Sequence, residues 1–286
     1  MINLKYREFI QKYEKECIEC NKESNVVKIL IKELEKISST ELFLKYEEII
    51  NENTKTSFLK LFNDYLINNK PIQYLLKSQS FYGIDFYIEE GVLIPRRETE
   101  ELVDYFIKYQ NAYFNNTKKI NILDLCTGSG CIGLSIKNIL KDKCEMTLAD
   151  IWEKSIEITT ININKLNLNV NIIKSDLFKN LNNKYDCIIS NPPYIPYYQE
   201  VPSLVKDNEP NIALYADNDG LYFYEEILKK AKNYLNNKAI IAFEHGENQH
   251  LKINEYANMY FNNPKIINLK DLQDRDRMTF IFINEE

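Results

Sequence analysis

From Tyr6 the apolar residues Tyr6, Phe9, Ile10, Tyr13 and Cys17 recur at the spacing of one helical face, and stretches 26–34, 42–50 and 58–67 repeat the pattern. "SST" ahead of "ELFLKYEEII" offers an N-cap, and "NNKP", ending at Pro71, offers a stop. These signals predict an all-helical bundle over residues 1–79. The segment "SFYGIDFYIEEGVLIP" then changes character. Its aromatic and β-branched residues, punctuated by Gly83 and Gly91, predict a hairpin linking two domains, with the boundary near Ser80.

Beyond Ile120, short β-branched runs alternate with helical stretches. The predicted strands are "INILDLC", "EMTLAD", "VNIIK", "DCIIS", "AIIAFE", "KIINL" and "MTFIFIN". Helices are expected after the first two, near "GLYFYEEILKKAKNYL" and near "NQHLKINEYANMY". The alternation specifies an α/β, doubly wound seven-stranded sheet over residues 80–286. Only the turn "KDLQDRDR" separates the last two strands, so the final strand is expected to run antiparallel to its neighbours.

The chain has 7 glycines, and Gly128, Gly130 and Gly133 fall together in "DLCTGSGCIG", between a strand and a helix. Glycines let backbone approach a ligand closely, and a loop that turns into a helix presents N–H groups to it. The spacing matches a dinucleotide fingerprint, with Asp150 at the end of the next strand to hold ribose hydroxyls. Asp124 argues against a pyrophosphate, which its charge would repel. It suits loop ordering, or attraction of the cationic end of a sulfonium cofactor. Asp176, in "SDLF", follows the third strand and is placed for an adenine amino group. Asp150 and Asp176 also suit plain capping roles, and Trp152 suits either an adenosine contact or core filling.

After the fourth strand comes Asn191-Pro192-Pro193-Tyr194, at the carboxyl end of the sheet, where this architecture binds ligands. The prolines fix φ and cannot donate, and the residue before them is held extended. The Asn191 side-chain oxygen and the Pro192 carbonyl can therefore accept both hydrogens of an amide or aromatic amine, with Tyr194 as an aromatic face beside it. Such acceptors orient a lone pair toward a methyl donor and stabilise charge developing on nitrogen.

Composition narrows the partners. No apolar run approaches the ~20 residues needed to span a bilayer, and "MINLKYREF" lacks the h-region of a secretory signal, so a cytoplasmic location is expected. A net charge of -6 makes direct nucleic-acid binding unexpected. Cys17 and Cys20 are the only close cysteine pair at ligand spacing, and with two histidines in the chain no metal site is expected.

These segments resemble the bacterial HemK/PrmC family, the peptide chain release factor glutamine N5-methyltransferases. The similar stretches are "PIQYLL", "FYGIDF", "VLIPRRETEELV", "ILDLCTGSGCIGLSI", "SDLF", "SNPPYIP", "EPNIALYADNDGL", "FEHGENQ" and "KDLQDRDR". "NPPY" alone indicates amino-group methylation, whereas "IPRRETE" joined to a helical N-terminal domain makes the resemblance specific. It implies a Rossmann-like S-adenosylmethionine-dependent domain, S-adenosylhomocysteine as product, and as substrate the GGQ glutamine of a class 1 release factor, which the helical domain would help to grip. It implies cofactor contacts from Gly128, Gly130, Asp150 and Asp176. Asp124, Thr127, Trp152, Leu177 and Asn191 complete the candidate cofactor set. Asn191, Pro192, Pro193 and Tyr194 would hold the glutamine amide, and Arg96, Glu98 and Thr99 would border the substrate side, unless that segment is only a helix N-terminus. Glu244 either orders the site or ends a strand, and Arg275 and Arg277 either support the substrate surface or lie in a solvated turn.

Three residues depart from the family pattern. Cys126 stands at a usual glycine of the loop, Arg97 at a usual proline, and Asp274 at a usual glycine of the last turn. Rival readings are a ribosomal-protein glutamine methyltransferase, an adenine-N6 nucleic-acid methyltransferase, a non-catalytic binder that kept the fold, and a hydride-transfer enzyme. The last leaves "NPPY" without a purpose.

Overall fold

The computed structural model describes residues 4–115, 117 and 119–284; the first three residues of "MINLKYREF" lie outside them. The chain divides into two compact units, 1–77 and 78–286, slightly ahead of the boundary expected at Ser80. The hairpin thus belongs whole to the second unit.

The first unit holds α1 (Tyr6–Glu19), α2 (Val26–Glu35), α3 (Ser39–Leu44), α4 (Glu52–Leu66) and α5 (Ile72–Leu76). The apolar stripe of α1 is buried, and Phe9, Tyr13, Phe58 and Phe62 form one aromatic cluster with centroids 4.6–5.1 Å apart. Two expectations are corrected. The stretch 42–50 is not one helix, because α3 ends at Leu44 and Ile49 instead bridges to Lys5. Nor is Pro71 simply a stop: it is the N-cap residue of α5, where its missing N–H costs nothing.

The second unit opens with the hairpin β1 (Ser78–Phe81) and β2 (Ile84–Tyr87), then α6 (Arg97–Tyr113). There follow β3 (Ile120–Leu125), α7 (Cys131–Leu140), β4 (Cys144–Asp150), α8 (Glu153–Leu166), β5 (Asn171–Lys174) and β6 (Tyr185–Ser190). An excursion contains β7 (Ile195–Pro196), α9 (Ser203–Lys206), α10 (Asn211–Leu214) and β8 (Tyr215–Ala216). Closing the unit are α11 (Tyr222–Ala231), β9 (Leu235–Glu244), α12 (His250–Tyr260), β10 (Lys265–Lys270) and β11 (Asp276–Asn284). All seven expected strands form one sheet, in the order β10-β11-β9-β6-β3-β4-β5. β11 is antiparallel to both of its neighbours, as the short last turn requires. The excursion after β6 carried no secondary-structure signal, although "SNPPYIP" at its start and "EPNIALYADNDGL" within it carry the resemblance.

Helices cover both faces of this sheet, so its central strands are buried through most of their length, with exposed or half-buried polar residues confined mainly to their starts. From β3 the chain builds outward through β4 and β5, then returns to place β6 on the other side of β3. That reversal opens a crevice at the carboxyl ends of β3 and β6. No described helix is long and apolar enough to cross a membrane. Among the described residues no group of His, Cys, Asp or Glu is placed to hold a metal ion, and all six cysteines are free thiols.

Candidate active site

Leu125 and Ser190 are register partners at the ends of β3 and β6, and Ser190 Oγ donates to the Leu125 carbonyl at 2.5 Å. The residues that follow, Cys126 and Asn191, therefore leave the sheet side by side. Both line a cavity of about 270 Å³ together with Gly128, Asp150 and Asp176.

On the β3 side, Asp124 is fully buried beneath the loop. Its Oδ2 accepts from Thr127 Oγ1 at 2.6 Å and from the Gly133 amide at 2.9 Å, so it ties the loop to the first turn of α7. Burial pushes this carboxyl up to about 7. It does not reach the cavity wall, which leaves loop ordering as the role its geometry carries. Gly133 is demanded by packing: a Cβ there would lie 2.2 Å from Leu148 Cδ2 and 2.8 Å from Asp124 Oδ2. Gly128 has φ +58°, with open space where its Cβ would project.

Asp150 ends β4 and lines the cavity. Its Oδ2 accepts from the Gly128 amide and its Oδ1 from the Trp152 amide, both at 2.9 Å, and burial raises its pKa. The Ser155 hydroxyl and the Ile151 amide also favour its charged form, so the carboxylate is held in one orientation at the cavity wall. Trp152 is 43% exposed at the cavity, which rules out core filling. Ser175 shapes the next turn by donating to the Leu177 carbonyl at 2.7 Å and accepting from the Asn180 amide at 3.0 Å. This turn presents Asp176 and Leu177 to the cavity.

On the β6 side, Asn191 and Pro193 line the cavity, while Pro192 and Tyr194 are not among its lining residues. The Tyr194 carbonyl accepts from Gln249 Nε2 at 2.9 Å, and Gly220 passes so close that a Cβ would meet that oxygen at 2.1 Å. Burial pushes the Tyr194 phenol up to about 12, so it stays protonated. Gln249 also accepts from the Gly246 amide at 2.8 Å, joining the segment after β9 to the Asn191–Tyr194 turn. Sequence reasoning missed Gln249 and Gly220. Their only signal was membership of the "FEHGENQ" and "ADNDGL" stretches.

The segment before α6 completes the wall through Val92, Leu93 and Pro95. Thr99 lies in the first turn of α6 and lines the cavity, with its Oγ1 3.5 Å from Asn191 Nδ2. Arg96 and Glu98 do not line it. Arg96 is ion-paired with Glu209, whose Oε2 also accepts from the Ile94 amide at 3.2 Å; this clamps the segment to the loop ahead of α10. Glu98 pairs with Arg275 at 3.1 Å, Arg275 and Arg277 both bind Asp271, and Arg277 Nη1 donates to the His245 carbonyl. The two arginines are thus engaged in bracing the last turn against α6.

A doubly wound sheet with a reversed last strand, a glycine loop after its first central strand and an amide-bearing turn after its fourth defines a Rossmann-like methyltransferase. The family model described as "Methyltransferase small domain" matches residues 109–207. The fold is similar to the crystal structure of a methyltransferase from Pyrococcus furiosus, with TM-score 0.52, 18% identity, and coverage of 82% of this chain and 100% of that one. The chain is 33% identical over 223 residues to the release factor glutamine methyltransferase of Streptococcus pneumoniae, covering 77% of this chain and 78% of that protein. It is 43% identical over 194 residues to the enzyme of that name in Clostridium acetobutylicum, covering 64% and 65%. The chain belongs to the release factor glutamine methyltransferase family.

Proposed function

We propose that this chain transfers a methyl group from S-adenosylmethionine to the side-chain amide nitrogen of the GGQ glutamine in a class 1 peptide chain release factor, releasing S-adenosylhomocysteine. The observation that carries this reading is that Asn191 shares one cavity with Gly128, Asp150 and Asp176, because β6 and β3 are register neighbours. The donor set fits the cofactor. Asp150 and Asp176 offer acceptors for ribose hydroxyls and an adenine amino group, Trp152 offers a flat face, and the positive φ of Gly128 lets backbone approach the ligand.

When bound, S-adenosylmethionine supplies an electrophilic methyl group. The rest is positioning by the chain. Asn191 Oδ1 accepts one amide hydrogen of the glutamine at the cavity wall and the Pro192 carbonyl, which lies outside that lining, is assigned the other, so that together they turn the nitrogen toward the methyl. Carbonyl dipoles already aimed there stabilise the positive charge that grows on nitrogen, without reorganising. The proton then leaves from a strongly acidic nitrogen, so no base must act first. Residues 1–77 are assigned to gripping the release factor, and the enzyme works in the cytoplasm beside its substrate.

Mass spectrometry of a release factor incubated with the protein and S-adenosylmethionine tests this. A gain of one CH₂ on the GGQ glutamine, absent with Asn191→Ala, is the expected result. Cofactor binding without any gain would overturn the substrate and send the assay to ribosomal proteins, then nucleic acid.

A further inference from the structure

Glu244 takes no part in the chemistry above, yet it stands beside Asn191. It ends β9, is 2% exposed, and its Oε2 has no hydrogen-bond partner. Phe243 and Ser190 are register partners of β9 and β6, so Glu244 and Asn191 follow them side by side, and Asn191 together with Thr99, whose Oγ1 lies 3.5 Å from Asn191 Nδ2, favours the charged form of this carboxyl. Both of those residues line the cavity, and Thr99 is itself 3% exposed. The three side chains form a chain leading from the cavity wall to a buried acid.

The two ends of an asparagine amide have nearly the same shape, and their partners decide which end faces which way. An ionised carboxylate can only accept. Facing it, Asn191 must turn Nδ2 inward. Thr99 Oγ1 accepts from Nδ2 at 3.5 Å, which leaves its own hydrogen available to the same carboxylate. With every donor directed inward, Asn191 Oδ1 is left facing the cavity, as a substrate N–H requires. We infer that Glu244 is a positioning residue whose charged form selects the orientation of the Asn191 amide and so orients the glutamine amide; this rests on the methyltransferase reading above.

A protonated Glu244 would itself be a donor, and the preference for Oδ1 outward would be lost. The outward Nδ2 would then meet a substrate N–H, donor against donor. Several groups face this carboxyl. Arg277 of β11 favours its charge and Glu98 of α6 opposes it. The phenols of Tyr194 and Tyr224 and the Cys131 thiol are all shifted upward, and so are neutral near pH 7. His245, next in the chain, is held down to about 4 by burial and is neutral as well. Burial dominates and sets the Glu244 carboxyl at about 7.

The test measures kcat and KM on a GGQ-bearing release factor across neutral pH for the full chain and for Glu244→Gln, with calorimetric cofactor binding and melting midpoints alongside. The wild type is expected to show kcat rising through pH ~7 to a plateau. Glu244→Gln, which folds without burying a charge, should lose this limb and about tenfold or more in kcat, at unchanged cofactor affinity. Thr99→Ser, keeping the hydroxyl, should retain most of the activity that Thr99→Val loses. A Glu244→Gln enzyme with wild-type kcat and pH profile overturns the positioning role alone. Equal losses in cofactor affinity and kcat also overturn it, in favour of a structural role. A wild type that binds cofactor but leaves the glutamine unmethylated overturns the underlying reading and this role with it.

Discussion

The two halves of the cavity are built by opposite means. The β3 half is held by partners near in sequence: Thr127 and Gly133 bind Asp124 from 3 and 9 residues away, and Gly128 binds Asp150 from 22. The β6 half is held from afar, with Asn191 contacting Thr99 across 92 residues and Tyr194 contacting Gln249 across 55. Local construction gives the half proposed to cradle the cofactor, which forms with β3, α7 and the adjoining end of β4. Distant construction makes the Asn191–Tyr194 turn, proposed to hold the amide, depend on the finished sheet, since its supports arrive on α6, on the segment before α11 and on the segment after β9. The two halves should therefore fail independently, one in cofactor affinity and the other in turnover.

Asn191→Ala should produce the largest separation. Removing an acceptor aimed at developing charge costs about a hundredfold or more in kcat, while calorimetry should find cofactor affinity nearly unchanged. A matching loss of affinity would show that the halves are not separable and that Asn191 serves the cofactor as much as the amide.

Asp124 probes the other half through pH. In an unfolded chain its carboxyl would ionise near the ordinary aspartate value of 3.8, whereas in the folded protein burial holds its proton up to about 7. Between these values folding takes up a proton. The stability tied to this group is therefore fully present below pH ~4 and is lost as pH rises through about 7. Asp124→Asn, neutral at every pH, should flatten that part of the stability curve in denaturant titrations. A variant with the wild-type pH slope would mean that Glu244, the other buried acid near 7, carries the dependence.

The same contrast explains what could be read from the sequence. The seven strands, the reversed last strand and the glycine loop were legible because each is written in a contiguous pattern: short β-branched runs, a short turn, clustered glycines. Asp150 and Asn191 were legible because the first ends a strand and the second directly follows one. Gln249, Glu209 and Gly220 were not, because their roles exist only where remote segments meet, and an isolated Gln or Glu carries no periodicity. The 42–50 stretch misled for the reverse reason. Its apolar spacing is helical, but Ile49 is used to bridge Lys5. Gln249→Ala tests the illegible half directly: freeing the Tyr194 carbonyl and the Gly246 amide should lower kcat about tenfold through misplacement, again without changing cofactor affinity.

The smallest expected effect concerns the two positions where the family pattern has glycine and this chain does not. Cys126 has φ +61° and Asp274 φ +64°, both in the left-handed region. Asp tolerates that region through local hydrogen bonding, and Asp274 also pairs with Lys270 at 3.1 Å. Cys126 has only its weak thiol, beside Ser190, to set against the strain, and that thiol, pushed up by burial, stays un-ionised. Left-handed strain of about 1–2 kcal/mol, less about 0.5–1 kcal/mol for the greater unfolded freedom of glycine, leaves a net gain of about 0.5 kcal/mol for Cys126→Gly. Asp274→Gly should gain nothing, a ranking that paired melting curves would resolve. If Cys126→Gly is no more stable than wild type, then the Cys126 side chain, which packs against the core under β3 and β6, offsets its backbone strain. The side chain would then be part of how the local half of the site is held together.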